Sequence, residues 1–264
     1  MPRFAMTIEY DGGAFAGSQS QRNGRSVQDE LETALQRLCG ERRRVHLAGR
    51  TDAGVHAIAQ VGAVSLERAR EPADLLRGWN ALLPEDVALR ALREVDERFD
   101  PRRDARWRTY RYRLAHGRPR PALDRQRVWW VRWRLDVAAM RTAATSLPGR
   151  RDFASFAARP ARANAGSVRH LRRCTLEERG CELVVEMEAD AFLPHQVRRT
   201  VGQLVEVGRG RAAPSRIEEL LAEPCYGAAG PAAPAHGLCL VRIEYPAPWG
   251  DLGVACEDLQ HEGG

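Results

Sequence analysis

The chain opens with a segment, Arg3 to Tyr10, whose apolar and polar positions alternate closely enough for a strand, and Asp11-Gly12-Gly13 supplies the turn that ends it. A helical period follows. Val27, Leu31, Ala34, Leu35 and Leu38 share one face, Ser26 with Asp29 resembles a capping box, and Gly40 stops the run. Val45 to Leu47 predicts a short strand and Gln60 to Leu66 another, with the loop Ala48 to Ala57 between them. Pro72 starts a second amphipathic helix through Leu75, Leu76, Trp79, Leu82 and Leu83, which Pro84 closes. Val87 to Val95 and Arg106 to Ala115 read as strands.

Arg118-Pro119-Arg120-Pro121 is a proline-rich connection and the expected hinge. Beyond it come a helix from Asp136 to Leu147, a loop through Phe153 and Phe156, and two strands about the Arg179-Gly180 turn. Helices from His195 to Val207 and from Ser215 to Ala222 follow, and a last strand covers Leu238 to Tyr245. Two successive strand and helix sets of similar size predict an α+β chain of two like-built halves, 1–117 and 118–246. Their antiparallel or mixed sheets are expected to join edge to edge into one central sheet flanked by helices, with a cleft between the halves. The stretch 247–264, rich in Gly, Pro and acids, is expected to be a flexible tail.

Composition narrows the chemistry. With 44% hydrophobic and 29% charged residues, the 264-residue chain is expected to be an ordinary soluble globular protein of the cytoplasm, with no export signal and no membrane partner. Its 41 basic residues exceed its 35 acidic ones, and all 41 are arginine. Having no lysine excludes a Schiff base and a P-loop lysine. Arg102, Arg103, Arg106, Arg108, Arg111 and Arg113 crowd one stretch among Trp107, Tyr110 and Tyr112, a mixture of basic and stacking groups suited to nucleic acid. Six cysteines without C-x-x-C or zinc spacing are expected to be reduced and mostly buried, so no metal is expected.

The loop between the second and third strands carries the candidate chemistry. Gly49 and Gly54 bracket Arg50, Thr51 and Asp52, which presents short polar side chains on a tight exposed turn. By pattern alone, an aspartate there serves as nucleophile, general base or turn former. An Asp52–His56 hydrolytic dyad would need both on one helix face, which the flanking glycines disfavour. Zinc deamination lacks its H-x-E and C-x-x-C ligands.

Gly49-Arg50-Thr51-Asp52-Ala53-Gly54-Val55-His56 resembles the catalytic signature of the TruA-type tRNA pseudouridine synthases. Further matches occur in order at Tyr10-Asp11-Gly12 with Phe15, Gly17 and Gln19; at Ser26-Val27-Gln28; and at Asn80 with Leu82-Leu83-Pro84. They continue at Arg108 to Tyr112, Phe153 to Phe156, Phe192 with Val197-Arg198 and Val201-Gly202, and Gly237-Leu238. The resemblance implies the pseudouridine-synthase fold and isomerisation of uridine in the tRNA anticodon stem-loop, at tRNA positions 38, 39 and 40, without a cofactor. It also implies a homodimer. Asp52 takes the essential carboxylate's place, Arg198 that of its partner cation, Tyr110 that of the tyrosine stacking on the uracil, and Arg50 that of the arginine attending the flipped base. Phe99, Asp100, Pro101, Arg102 and Arg103 align with a tRNA-contacting loop; Arg118 and the stretch from Pro160 to Asn164 are weaker matches. Two departures stand out: Ser18 where the family usually has Trp, and Leu193-Pro194-His195-Gln196 where it has a histidine-rich step before Val-Arg. Both leave room for a paralogue of altered range. Basic charge and aromatics would equally fit a tRNA-binding protein that has lost catalysis, against which the complete Gly-Arg-Thr-Asp loop argues.

Overall fold

A computed structural model describes residues 1–117, 119–158, 166–250 and 252–253. The chain forms two compact units, each with strands and helices of its own. This is the α+β mixture expected from the two pattern sets.

The first unit takes in residues 1–108 and the chain from 239 onward. Its sheet has the order β4 (Val87–Val95), β1 (Arg3–Tyr10), β3 (His56–Ser65), β10 (Leu238–Glu244), with β2 (His46–Leu47) on β3. β1 runs antiparallel to both β3 and β4, while β10 is parallel to β3, pairing Cys239 with His56. A parallel neighbour cannot come from a hairpin, which is why this strand arrives from the far end of the chain. Phe4, Met6 and Ile8 of β1 and Val61 and Val64 of β3 are fully buried. Helices α1 (Val27–Cys39) and α2 (Pro72–Asn80) meet where the Trp79 indole donates to Leu31 O at 3.0 Å. The Asn80 amide then clamps β4, accepting from Leu89 N at 2.8 Å and donating to Leu89 O at 2.9 Å. The α1 cap is as read from sequence: Ser26 Oγ accepts from Asp29 N at 3.1 Å, and Gly40 closes the helix in the left-handed region.

The second unit, 109–238, has the order β5 (Trp107–His116), β9 (Glu182–Ala189), β8 (Val168–Arg179), β7 (Gly149–Asp152), with β6 (Trp129–Val131) parallel to β5. Helix α3 (Val137–Ala144) packs on β8, α4 (Gln196–Gly208) and α5 (Arg216–Ala222). α3 stops at Ala144, three residues short of the pattern read to Leu147. The sequence points to 118–121 as the hinge; packing instead ends the first unit at Arg108 and returns β10 to it.

Two expectations need correction. The described part of the expected tail is packed: Trp249 lies against Phe99 with ring centroids 5.1 Å apart, Ile243 N donates to Gly253 O at 2.9 Å, and Leu252 is buried. The five described cysteines are free but not mostly buried, since Cys181 and Cys225 are exposed and Cys39, Cys174 and Cys239 partly so. Cys39 ends α1, Cys174 and Cys239 lie on strands, and Cys181 and Cys225 stand outside helices and strands.

Candidate active site

The Asp52 turn is held from below by a polar network inside the first unit. Ser18 and Thr51 exchange two bonds: Thr51 N donates to Ser18 Oγ at 2.9 Å and Ser18 N donates to Thr51 O at 3.2 Å. Thr51 Oγ1 lies 2.8 Å from the Tyr10 hydroxyl. The Gln60 amide donates to Gly49 O at 3.0 Å and stands 3.5 Å from the same tyrosine oxygen, at the limit of hydrogen-bond reach. Tyr10, Ser18, Thr51 and Gln60 are all buried. Burial pushes the Tyr10 phenol up to about 12, against the pull of its hydrogen bonds to Thr51 and Gln60, so it stays a neutral hydroxyl.

Asp52 itself stands above this network, half-buried, pairing as an isolated bridge with Gly17. Gly54 turns the chain at φ +78°, Gly54 N donates to Phe15 O at 3.3 Å, and Val55 N donates to Asp52 O at 3.2 Å. The backbone on both sides of Asp52 is thus fixed, and its side chain projects from a rigid turn. Arg50, two residues before it, is exposed. His56 begins β3 rather than a helix, which removes the helical dyad with Asp52. Its Nδ1 lies 3.0 Å from Gly12 N and 3.1 Å from Asp11 Oδ1; it can accept from the first or donate to the second, not both.

The other expected site residues lie in the second unit. Tyr110, on β5, is buried with its ring edge-on to Phe192, centroids 5.2 Å apart at 89°. Phe192 precedes α4, whose start is set by the Pro194 step. His195 takes φ 65°, Leu193 N donates to Gln196 Oε1 at 2.8 Å, and the helix begins at Gln196. Arg198 therefore stands in the first turn of α4, with Nε donating to Ala233 O at 2.8 Å and its carbonyl accepting from Ala233 N at 2.9 Å. Its charge reaches β5, where it works against the burial that raises the Tyr112 phenol. Arg199 turns elsewhere, donating to Gly227 O and Gly230 O.

The expected RNA loop divides by burial. Phe99 is fully buried beneath Tyr245 and Trp249, and Pro101 is buried with its carbonyl accepting from the Tyr245 hydroxyl at 2.6 Å. These two anchor the loop rather than face solvent. Asp100 Oδ1 accepts from Arg102 N and Arg103 N, each at 2.9 Å, which holds its carboxyl below the usual range despite partial burial and turns both arginine side chains outward. Arg118 and 160–164 lie outside the described residues. Of the crowded arginines, Arg108 donates to Arg102 O and Ala105 O, Arg111 pairs with Glu186 and Arg113 with Glu182. Half of that apparent basic patch therefore serves the fold, and Arg102, Arg103 and Arg106 remain exposed.

Sequence reasoning gave no role to Tyr10, Gln60 or the Ser18 hydroxyl. Tyr10 and Thr51 are 41 residues apart and meet only because β1 pairs with β3. No cluster of three or more His, Cys, Asp or Glu positioned for a metal occurs among the described residues.

Comparison with known proteins gives this geometry its context. The sequence model of the tRNA pseudouridine synthase family matches residues 6–102 and 143–246. A tRNA pseudouridine synthase A of Methylobacterium nodulans is 44% identical over 247 residues, covering 93% of this chain and 97% of that one. Proteins of the same name from Myxococcus xanthus and Roseiflexus castenholzii are 45% and 46% identical, each over 93% of this chain and 92% of their own. The chain belongs to the tRNA pseudouridine synthase family, isomerases that convert uridine to pseudouridine.

Proposed function

We propose that this enzyme isomerises uridines of the tRNA anticodon stem-loop and that Asp52 is its catalytic carboxylate. The reaction breaks the bond between C1' and N1, turns the base, and joins C1' to C5; the C5 proton leaves and N1 gains one, so no atoms are lost and no cofactor is needed. The observation that carries the reading is the complete Gly-Arg-Thr-Asp loop, held at Thr51 by Ser18 and Tyr10 while Asp52 is left half-buried above. A carboxylate so held can add to the ribose or base, or take a ribose proton, without losing orientation when the nucleotide arrives.

The base must leave its stack before the glycosidic bond is accessible. In this reading Tyr110 stacks on the uracil, Arg50 attends the flipped base, and Arg198 keeps the carboxylate ionised against desolvation. The exposed Arg102 and Arg103 take tRNA phosphates, and a homodimer in the cytoplasm extends the positive surface. Sedimentation at several concentrations reads the dimer directly, and a monomeric boundary throughout removes it.

Mapping pseudouridine in cellular tRNA with and without Asp52→Asn is the decisive experiment. The substitution keeps the size and discards the charge, so anticodon-stem modification should vanish; modification surviving at the parental rate refutes the assignment. Parent protein that binds tRNA and forms no product would instead be the catalytically inactive paralogue.

A further inference from the structure

Trp133, just after β6, is 52% exposed, and no other aromatic side chain among the described residues lies so open to solvent. A lone exposed apolar side chain needs no explanation, so its surroundings decide. The Arg209 guanidinium lies 3.8 Å from the indole centroid and that of Arg211 5.9 Å. Glu206 steadies both, with contacts of 3.0 Å and 3.7 Å. Arg132 and Arg134 flank the tryptophan in sequence, are exposed, and form no ion pair with any described residue. The nearby Asp136 carboxylate caps α3 at Ala139 N, 2.9 Å away. Two guanidiniums thus lie against one indole with Glu206 as their shared acid, and two more exposed arginines adjoin it in the chain.

We infer that Trp133, with Arg132, Arg134, Arg209 and Arg211, is an RNA-docking surface where the indole stacks on an unpaired base of the tRNA and the arginines take neighbouring phosphates. This rests on tRNA being the substrate. An aromatic plane set among arginines offers a base its flat face and the backbone its countercharge without reading sequence. A protein partner fits poorly, because one ring surrounded by charge offers little apolar area to bury. A second copy fits worse, since a twofold contact would set these arginines against their own equivalents.

Titrating labelled unmodified tRNA against the full-length protein tests the inference. Trp133→Ala should weaken binding about tenfold, and Trp133→Phe should recover most of the loss. Arg132→Gln with Arg134→Gln should lower the slope of log affinity against log salt by roughly one to two. Parental affinity in Trp133→Ala, or an unchanged salt slope in the double variant, overturns the inference. So does a loss of binding that appears only with a changed sedimentation coefficient, which would mark a contact between copies. Because the readout is affinity, a parent protein that binds tRNA but makes no pseudouridine would sink the proposed catalysis and leave this surface standing.

Discussion

Ser18 shows how a single departure from family pattern acquires a meaning. Its hydroxyl is fully buried and accepts the Thr51 N–H, one residue before the proposed catalytic carboxylate. Ser18→Ala would leave that N–H unpaired away from water, a loss of about 1–3 kcal/mol. The loop would then sample geometries in which Asp52 is misplaced, while the exposed arginines proposed to meet RNA are untouched. We expect kcat to fall about tenfold with KM nearly unchanged. Steady-state kinetics beside a urea titration would check this; a destabilised protein with full kcat means that Ser18 supports the fold and not the carboxylate. Arg198 carries the opposite lesson: the Val-Arg motif identified it, yet its bonds to Ala233 come from a loop 35 residues on, which no local pattern could reveal.

At the level of elements, the turn after β1 and the Asp52 loop are built against each other. A Cβ on Gly12 would sit 2.0 Å from Val55 O, a backbone atom that cannot swing aside. Gly12→Ala must therefore move one of the two segments, and overpacking of this kind costs about 1–3 kcal/mol. The neighbouring Gly13→Ala meets only the Asp11 carboxylate at 3.1 Å, which can rotate away. We expect the first variant to lose both stability and pseudouridine formation and the second to keep both, as read by urea midpoint and product assay. Equal behaviour of the two would show that the close approach does not constrain the loop. Strands β6 and β7, three and four residues long, escaped the pattern reading because so short a run has no period of its own. β3 began earlier than its apolar run suggested because Tyr10 pairs with Ala57 and draws the loop's end into the sheet.

Across the whole molecule, three buried phenols make stability fall in alkali. Tyr10 is pushed up to about 12, and burial raises Tyr112 and Tyr245 further; each of these two donates to a carbonyl oxygen, Pro234 O at 2.8 Å and Pro101 O at 2.6 Å, which a phenolate would repel. Unfolded, all three would titrate near pH 10. Above that pH the unfolded chain holds fewer protons than the folded one, so stability drops as pH rises, by about 1.4 kcal/mol per pH unit for each phenol. The contribution of Tyr10 is complete below pH 10 and is lost as the pH climbs through about 12. Urea midpoints measured from pH 9 upward should decline, and Tyr245→Phe should make the decline shallower by one proton's worth. A flat profile would mean that the phenols are not shielded as the fold implies.

Periodicity, caps and turn residues act between neighbours, so the sequence by itself determined β1, α1, α2, β4 and the glycine-bounded Asp52 loop, and the ordered motifs determined the family. Which polar groups meet depends on chain segments tens of residues apart. Only the tertiary structure could decide that Ser18, Tyr10 and Gln60 hold the loop, that Phe99 is an anchor, and that Arg108, Arg111 and Arg113 are spent within the fold. The physical reason is one of range: backbone preference and hydrophobic period are local, whereas burial and hydrogen-bond partnership are set by strand pairing and the return of β10 from the far end of the chain.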